Sequence, residues 1–328
     1  MTSELAALGL RSFAKVNLTL DVLGKRPDGY HDIESVMQTI SLHDVVTVIR
    51  LRRTGEPGIR VTCDMPGIPT DERNLAHKAA RMFFEDLGTT PRVDIHIEKR
   101  IPPEAGLGGG SSNGAATIMA LSRLLGRKAE GSRFQVQGSR FAEAATLNLQ
   151  PATLNCVEAV GSDVPFFLVG GTALIRGRGE EVLALPEIPT QWLVIVKPPF
   201  GIPTPWAYGR LDEMREAASR QPPAAGKRKT ASACMVECIQ SGDWQHLPEL
   251  LSNDLEAPAI ERHPQIGELK KELLGLGASG SLMCGSGSAV FGVFASEDAA
   301  RKACDGVAGG EVRAFVCRTV GRDEASSG

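Results

Sequence analysis

The segment Ile101-Pro-Pro-Glu-Ala-Gly-Leu-Gly-Gly-Gly-Ser-Ser-Asn113 packs four glycines and two serines behind a pair of prolines, a composition suited to holding phosphate. Glycine permits positive φ and close backbone approach, so successive N–H groups can converge on one anion. A helical pattern follows at once. Ala116, Ile118, Met119, Leu121, Leu124 and Leu125 recur at helical spacing, and Ser111, Ser112 or Asn113 is placed to cap the start. The positive end of that helix dipole then faces the loop and favours an anion. On these residues alone, the plain alternative is a flexible glycine turn.

Other glycine motifs fit poorly. A Walker A loop ends in Gly-Lys-Ser/Thr, whereas Gly110 is followed by Ser111 and Ser112 with no lysine. A dinucleotide fingerprint puts its first glycine directly after a strand. Here the alternating Val93, Ile95 and Ile97 end well before Gly106, with Pro102 and Pro103 between. The His-Arg-Asp and Asp-Phe-Gly landmarks of protein kinases do not occur. A second glycine turn, Cys284-Gly-Ser-Gly-Ser-Ala-Val-Phe291, reads by itself as a bend entering a strand at Val290–Phe294.

The elements that must position these turns alternate between sheet and helix. From Phe13 to Val22 the residues Ala14, Val16, Leu18, Leu20 and Val22 point one way, and Lys15, Asn17, Thr19 and Asp21 the other, as in a half-buried strand. A turn at Arg26-Pro-Asp-Gly29 precedes Tyr30-His31. Val45–Ile49 reads as a strand, Asn74–Phe84 as a helix and Thr172–Ile175 as a strand. This is an α+β pattern. A boundary near Pro186–Pro189 divides the chain into residues 1–188 and 189–328. Trp192–Val196 follows as a strand. Its sequel, residues 197–205, is too proline-rich to be regular and is predicted as a shaped loop. Residues 218–232, with the basic triplet Lys227-Arg228-Lys229, have surface-loop composition, and Glu324–Gly328 reads as a frayed end.

At 328 residues the chain is long enough for two ordinary domains, and 42% hydrophobic with 23% charged residues is a globular balance. A net charge of −3 and the lack of a long apolar run disfavour nucleic-acid and membrane partners. Seven cysteines without a CxxC pair or zinc spacing, and an amino terminus without a basic-then-apolar leader, suit a reducing cytoplasm.

Taken together and in order, Lys15 on its strand, the run from Pro102 or Pro103 to Ser112, and the late Gly285-Ser-Gly287 turn resemble the motifs of the GHMP kinases. The resemblance runs from about Phe13 to Phe294. It implies a two-domain α+β fold, with an amino-terminal domain like the second domain of ribosomal protein S5 and a carboxyl-terminal GHMP kinase domain. The site is expected in the cleft between them. Within the family, Phe13-Ala-Lys-Val-Asn-Leu18, Arg26-Pro-Asp-Gly-Tyr-His31, Gly106–Asn113, Gly161-Ser-Asp-Val-Pro-Phe166 and Ile202-Pro-Thr-Pro205 look like the members of the isoprenoid precursor pathway that phosphorylate a cytidyl diphosphate-linked polyol with ATP.

Position by position, the resemblance makes Asp163 the carboxylate beside the acceptor hydroxyl and Lys15 its basic partner. An attacking hydroxyl must lose a proton, which a carboxylate can take while an ammonium stabilises negative charge on oxygen. Read without the family, Asp163 is a helix cap and Lys15 part of a solvated strand face. Asn17 and Thr204 match residues on the polyol. Tyr30 and Tyr208, the two tyrosines of the chain, match rings near cytosine, and His31 matches a residue that hydrogen-bonds the base; from spacing alone His31 is an ordinary, partly buried histidine. Asn74 and Lys99 match the adenine pocket, and Pro103, Gly106, Leu107, Gly108, Gly109, Gly110, Ser111 and Ser112 the phosphate cradle. Mg2+ is expected with the nucleotide, held mainly by phosphate and water, because no glutamate matches the family's metal ligand. Residues 127–160 look longer than the family pattern, either as a surface loop or as a cover for the site. Gly109→Val is predicted to abolish ATP binding while leaving folding largely intact. A variant folded by circular dichroism that binds ATP normally in calorimetry would contradict the cradle.

Overall fold

The computed structural model describes residues 7–52, 58–89, 92–125, 157, 159–218, 229–307 and 311–327. The expectations for residues 127–156 and for Lys227 and Arg228 fall outside these; Lys229, the last of the basic triplet, is exposed and pairs with Glu237 (2.7 Å). The alternation at 13–22 belongs to two strands, β1 (Leu8–Asn17) and β2 (Thr19–Lys25). They part at Leu18, whose N–H donates to the Val36 carbonyl (2.8 Å). Next come β3 (His31–Arg52), β4 (Gly58–Cys63), α1 (Leu75–Asp86), β5 (Arg92–Glu98), α2 (Gly109–Leu124), α3 (Val164–Val169), β6 (Thr172–Gly177) and β7 (Glu181–Ala184).

β3 is the spine: its 22 residues pair antiparallel with β1, β2, β5 and β6. The sequence pattern exposes only Val45–Ile49 of it, because Ile33–Ile40 is buried on both faces and carries Ser35, Gln38 and Thr39 among its apolar residues. Burying such groups requires partners. Gln38 accepts from the Thr172 hydroxyl (2.6 Å) and donates to the carbonyls of Thr39 and Val320 (2.8 and 3.0 Å).

After β7 the chain continues as β8 (Trp192–Lys197), α4 (Thr204–Ala218), α5 (Ala231–Ser241), a 3-10 turn (Leu247–Leu250), β9 (Ser252–Asn253), α6 (Glu256–Arg262), α7 (Gln265–Gly275), β10 (Gly280–Met283), β11 (Val290–Phe294), α8 (Glu297–Val307), β12 (Arg313–Arg318) and α9 (Arg322–Ser326). Thr204 and Pro205, expected in the loop, already form the first turn of α4, where a missing N–H costs nothing. The carboxyl end is likewise a helix, pinned by the Arg318–Glu324 pair (2.9 Å).

Strands β1–β7 and β9 make an eight-stranded sheet, and β10-β11-β8-β12 a four-stranded antiparallel one. The expected boundary falls between β7 and β8, yet a shared core crosses it, joining Val16 and Val36 to Leu193, Ile195 and Phe291. A second core seats α1 and α2 on the larger sheet through Phe83, Phe84, Ile118 and Leu121 against Val46, Val93 and Ile95. Among the described residues no helix is long and apolar enough to cross a membrane.

One buried carboxylate fixes the approach to the glycine loop. Asp44, on β3 and fully buried, accepts from Lys99 Nζ (2.6 Å) and from the backbone N–H groups of Arg100 and Ile101 (2.7 and 2.8 Å). Asp44→Ala should cost about 3–5 kcal/mol, because it strands a buried ammonium and two amides. A melting curve within a degree of the wild type would contradict that role.

Candidate functional site

A cavity of about 1060 Å³ lies between the two sheets' loops and collects nearly every residue singled out in the sequence. Its floor is the amino terminus of α2. Gly108 occupies the N-cap with φ 71°, and no side chain caps the helix, so the first-turn amides remain for an anion. This corrects the expectation of a capping serine or asparagine. Ser111 lines the cavity, whereas Ser112 turns away: it is buried, with its Oγ 2.8 Å from Ser12 Oγ on β1. Neighbouring residues on a helix point about 100° apart, and only one of the two serines can face the loop. Asn113 is tied to the same hydroxyl (2.7 Å).

The two glycine turns meet. A side chain at Gly106 (φ 73°) would run into the Cys284 carbonyl, and Ala289 N–H donates to the Ala105 carbonyl (3.3 Å). Lys15 lies at this junction. Its N–H donates to the Leu107 carbonyl (3.1 Å), and its Nζ is 3.2 Å from where a Cβ on Gly285 would sit. The late glycine turn, weak as a sequence signal, is therefore held bare by the positive φ of Gly285 (51°), by the Gly106 carbonyl 3.0 Å from that point and by the ammonium beside it. Burial lifts the Cys284 thiol there to about 12, so it stays a neutral packing group.

Lys15 is 4% exposed, and such a cation needs oxygen partners. It donates to Asn17 Oδ1 (2.7 Å) and forms an ion pair with Asp163 Oδ2 (3.6 Å). Asn17, fully buried, passes the link on by donating from Nδ2 to Ser35 Oγ (2.8 Å). Asp163 stands at the N-cap of α3 but makes no capping bond with its side chain. Its carboxylate is left for the cavity, which it lines together with Ser162.

At the nucleotide end, Asn74 caps α1 by accepting from Ala76 N–H (2.9 Å) and donates to the Pro69 carbonyl (2.7 Å), so its amide is spent on shaping the wall. Lys99 also lines the cavity. Its ammonium, anchored on Asp44, lies 3.0 Å from where a Cβ on Gly109 would sit, and Ile101 crowds the same point.

The opposite end is aromatic. His31 stacks on Tyr208 (ring centroids 4.9 Å apart, 28° between planes), and its Nε2 meets Asp212 at 2.9 and 3.1 Å. Burial, with the charge of Asp163 nearby, pushes the Tyr208 phenol well above its ordinary range, so it stays protonated. Tyr30 is 56% exposed and presents its ring to the cavity, with the Arg178 guanidinium 5.0 Å from its centroid. The two tyrosines thus each hold another partner while lining the cavity. Thr204 Oγ1 pairs with Ser286 Oγ (2.8 Å), linking α4 to the second glycine turn.

Sequence reasoning missed Asp44, Asp212 and Arg178. Asp212 had a signal, since Tyr208 and Asp212 are four apart on α4 and share a face. Asp44 had none, because a carboxylate inside a strand pattern reads as a solvated edge.

The GHMP kinases N terminal domain model matches residues 74–171, and the GHMP kinases C terminal model matches residues 235–310. The 4-diphosphocytidyl-2-C-methyl-D-erythritol kinase of Geobacter sulfurreducens is 40% identical over 298 residues, covering 91% of this chain and 94% of that protein. Its counterpart from Heliobacterium modesticaldum is 40% identical over 321 residues, covering 95% of each. A crystal structure of a 4-(cytidine 5'-diphospho)-2C-methyl-D-erythritol kinase superposes with a TM-score of 0.68 at 30% identity, covering 96% of this chain and 100% of that one. A homoserine kinase from Cytophaga hutchinsonii, at 20% identity and a TM-score of 0.66, shares the fold. With an uncapped helix under a glycine cradle, a lysine–aspartate pair at its mouth and these relatives along nearly its whole length, the chain belongs to the GHMP kinases.

Proposed function

We propose that the protein transfers the γ-phosphoryl group of ATP to the 2-hydroxyl of 4-diphosphocytidyl-2-C-methyl-D-erythritol, in the non-mevalonate isoprenoid precursor pathway. The observation that carries this reading is Asp163. It sits at a helix start without capping it, 3.6 Å from a buried lysine and in one cavity with the bare amino terminus of α2.

The triphosphate lies on the amides of Gly109–Ser111, with the helix dipole behind it and Lys99 at its flank. The acceptor hydroxyl enters between the γ-phosphorus and Asp163, which takes its proton as the oxygen attacks. Lys15 stabilises the negative charge shared by the attacking oxygen and the transferring group, and Asn17 holds the ammonium in place. The Ser111 hydroxyl and the Asp163 carboxylate, both lining the cavity, are hard oxygen donors of the kind Mg2+ takes when it arrives on ATP. The cytosine end packs against Tyr30, His31 and Tyr208. Asp212 orients the imidazole by occupying Nε2, leaving Nδ1 for the base. Thr204 faces the polyol from the start of α4.

The test is ADP release with the cytidyl polyol, galactose and homoserine side by side. Turnover confined to the first supports the reading, and preference for either of the others contradicts it. Asp163→Asn should lower kcat by about 10²–10⁴-fold with ATP binding retained, the usual worth of a general base. Lys15→Met should act in the same way. A folded Asp163→Asn variant turning over near the wild-type rate would remove Asp163 from the role of base.

A further inference from the structure

Five cationic side chains line the cavity: Lys15, Lys25, Arg73, Lys99 and Arg178. Four are matched to carboxylates, Lys15 to Asp163, Lys25 to Asp212, Arg73 to Asp71 and Lys99 to Asp44. Arg178 forms no ion pair among the described residues; its side-chain contact is the ring of Tyr30. Asp28 of the neighbouring turn feels its field but stands outside ion-pair distance. Its oxygens are taken by Arg26 (3.3 Å) and the Tyr30 amide (3.1 Å).

The guanidinium is also presented on a stiff support. Arg178 is at the tip of the β6–β7 turn between Gly177 (φ 69°) and Gly179 (φ 132°), and its N–H donates to Glu180 Oε2 (2.5 Å). Gly179 packs on Ser162 so closely that a Cβ would come within 2.7 Å of the Ser162 carbonyl. The turn therefore rests beside the Asp163 end of the cavity, while the head of Arg178 reaches the ring of Tyr30 next to His31. An acceptor with its hydroxyl at Asp163 and its base at His31 spans the cavity that this guanidinium also lines. A planar five-donor cation without a carboxylate partner suits a phosphate-bearing linker, which it can grip bidentately.

We propose that Arg178, clamped on Tyr30, is the specificity residue that binds the diphosphate of the acceptor. The inference rests on the function proposed above and adds to it the group that distinguishes a nucleoside diphosphate conjugate from a bare nucleoside.

The test uses the full chain, wild type and Arg178→Gln, with two readouts. In steady-state kinetics Arg178→Gln should raise the acceptor KM about 10- to 100-fold, the scale of a lost charge-assisted hydrogen bond, with kcat and ATP KM within about threefold of wild type. Arg178→Lys should recover part of the loss. In calorimetry, wild type should hold CDP more tightly than cytidine, and Arg178→Gln should lose most of that preference while binding cytidine as before. An unchanged acceptor KM and CDP preference, in an enzyme that does turn over the cytidyl polyol, would overturn the inference and leave the function standing. A rise in ATP KM instead would assign the guanidinium to the wrong substrate and equally overturn it. If wild type neither uses the cytidyl polyol nor binds CDP, the proposed function falls first and the inference falls with it.

Discussion

A buried ammonium constrains everything around it. Lys15 is almost wholly removed from water, and an isolated charge there would be prohibitively costly without oxygen partners. The fold provides two, Asn17 on the same strand and Asp163 at the start of α3, while the Leu107 carbonyl fixes the backbone by accepting the Lys15 N–H. Two glycine turns close over the lysine, and both are bare where they do so: a Cβ on Gly108 would meet the Phe167 ring and then Lys15 Cε, and one on Gly285 the Gly106 carbonyl and then Lys15 Nζ. The phosphate cradle and the base are thus parts of one packing problem.

The same logic separates the ends of the cavity. Asp44 sets the nucleotide end by holding the turn that enters the loop, and Asp212 sets the other by holding the ring of His31. Both are carboxylates already engaged by the protein, so they shape rather than react. Asp163 differs because its one described partner is an ammonium at 3.6 Å, longer than a hydrogen bond, and among the described residues no backbone amide claims it. Geometry therefore singles out which acid is available to take a proton.

Much of this is legible in the amino-acid sequence alone. The glycine loop announces itself by composition, and the helix after it by apolar spacing. The alternation at 13–22 puts Lys15 and Asn17 on one face, which is where the site lies, whereas Thr19, past the break at Leu18, bonds to Ser232 instead. What stays hidden has physical causes. Ser111 and Ser112 are chemically alike, and only the rotation of the helix decides that the second one packs against Ser12. Most of β3 escapes the pattern because Ser35, Gln38 and Thr39 are polar residues inside a sheet buried on both faces, so no alternation marks them. Asp44, Asp212 and Arg178 act through long-range partners that spacing cannot reveal. The late glycine turn reads like any bend, because the Gly106 carbonyl and the lysine that crowd it lie far away in sequence.

The central claim is that one cavity brings the acceptor hydroxyl between the α2 amino terminus and Asp163. A crystal structure of the protein with a non-hydrolysable ATP analogue and the cytidyl polyol tests it directly. The account predicts the γ-phosphate on the amides of Gly109–Ser111 and the 2-hydroxyl oxygen within hydrogen-bonding distance of the Asp163 carboxylate, about 2.6–3.2 Å. An acceptor bound with that hydroxyl away from Asp163, or a triphosphate seated off the glycine loop, would contradict it.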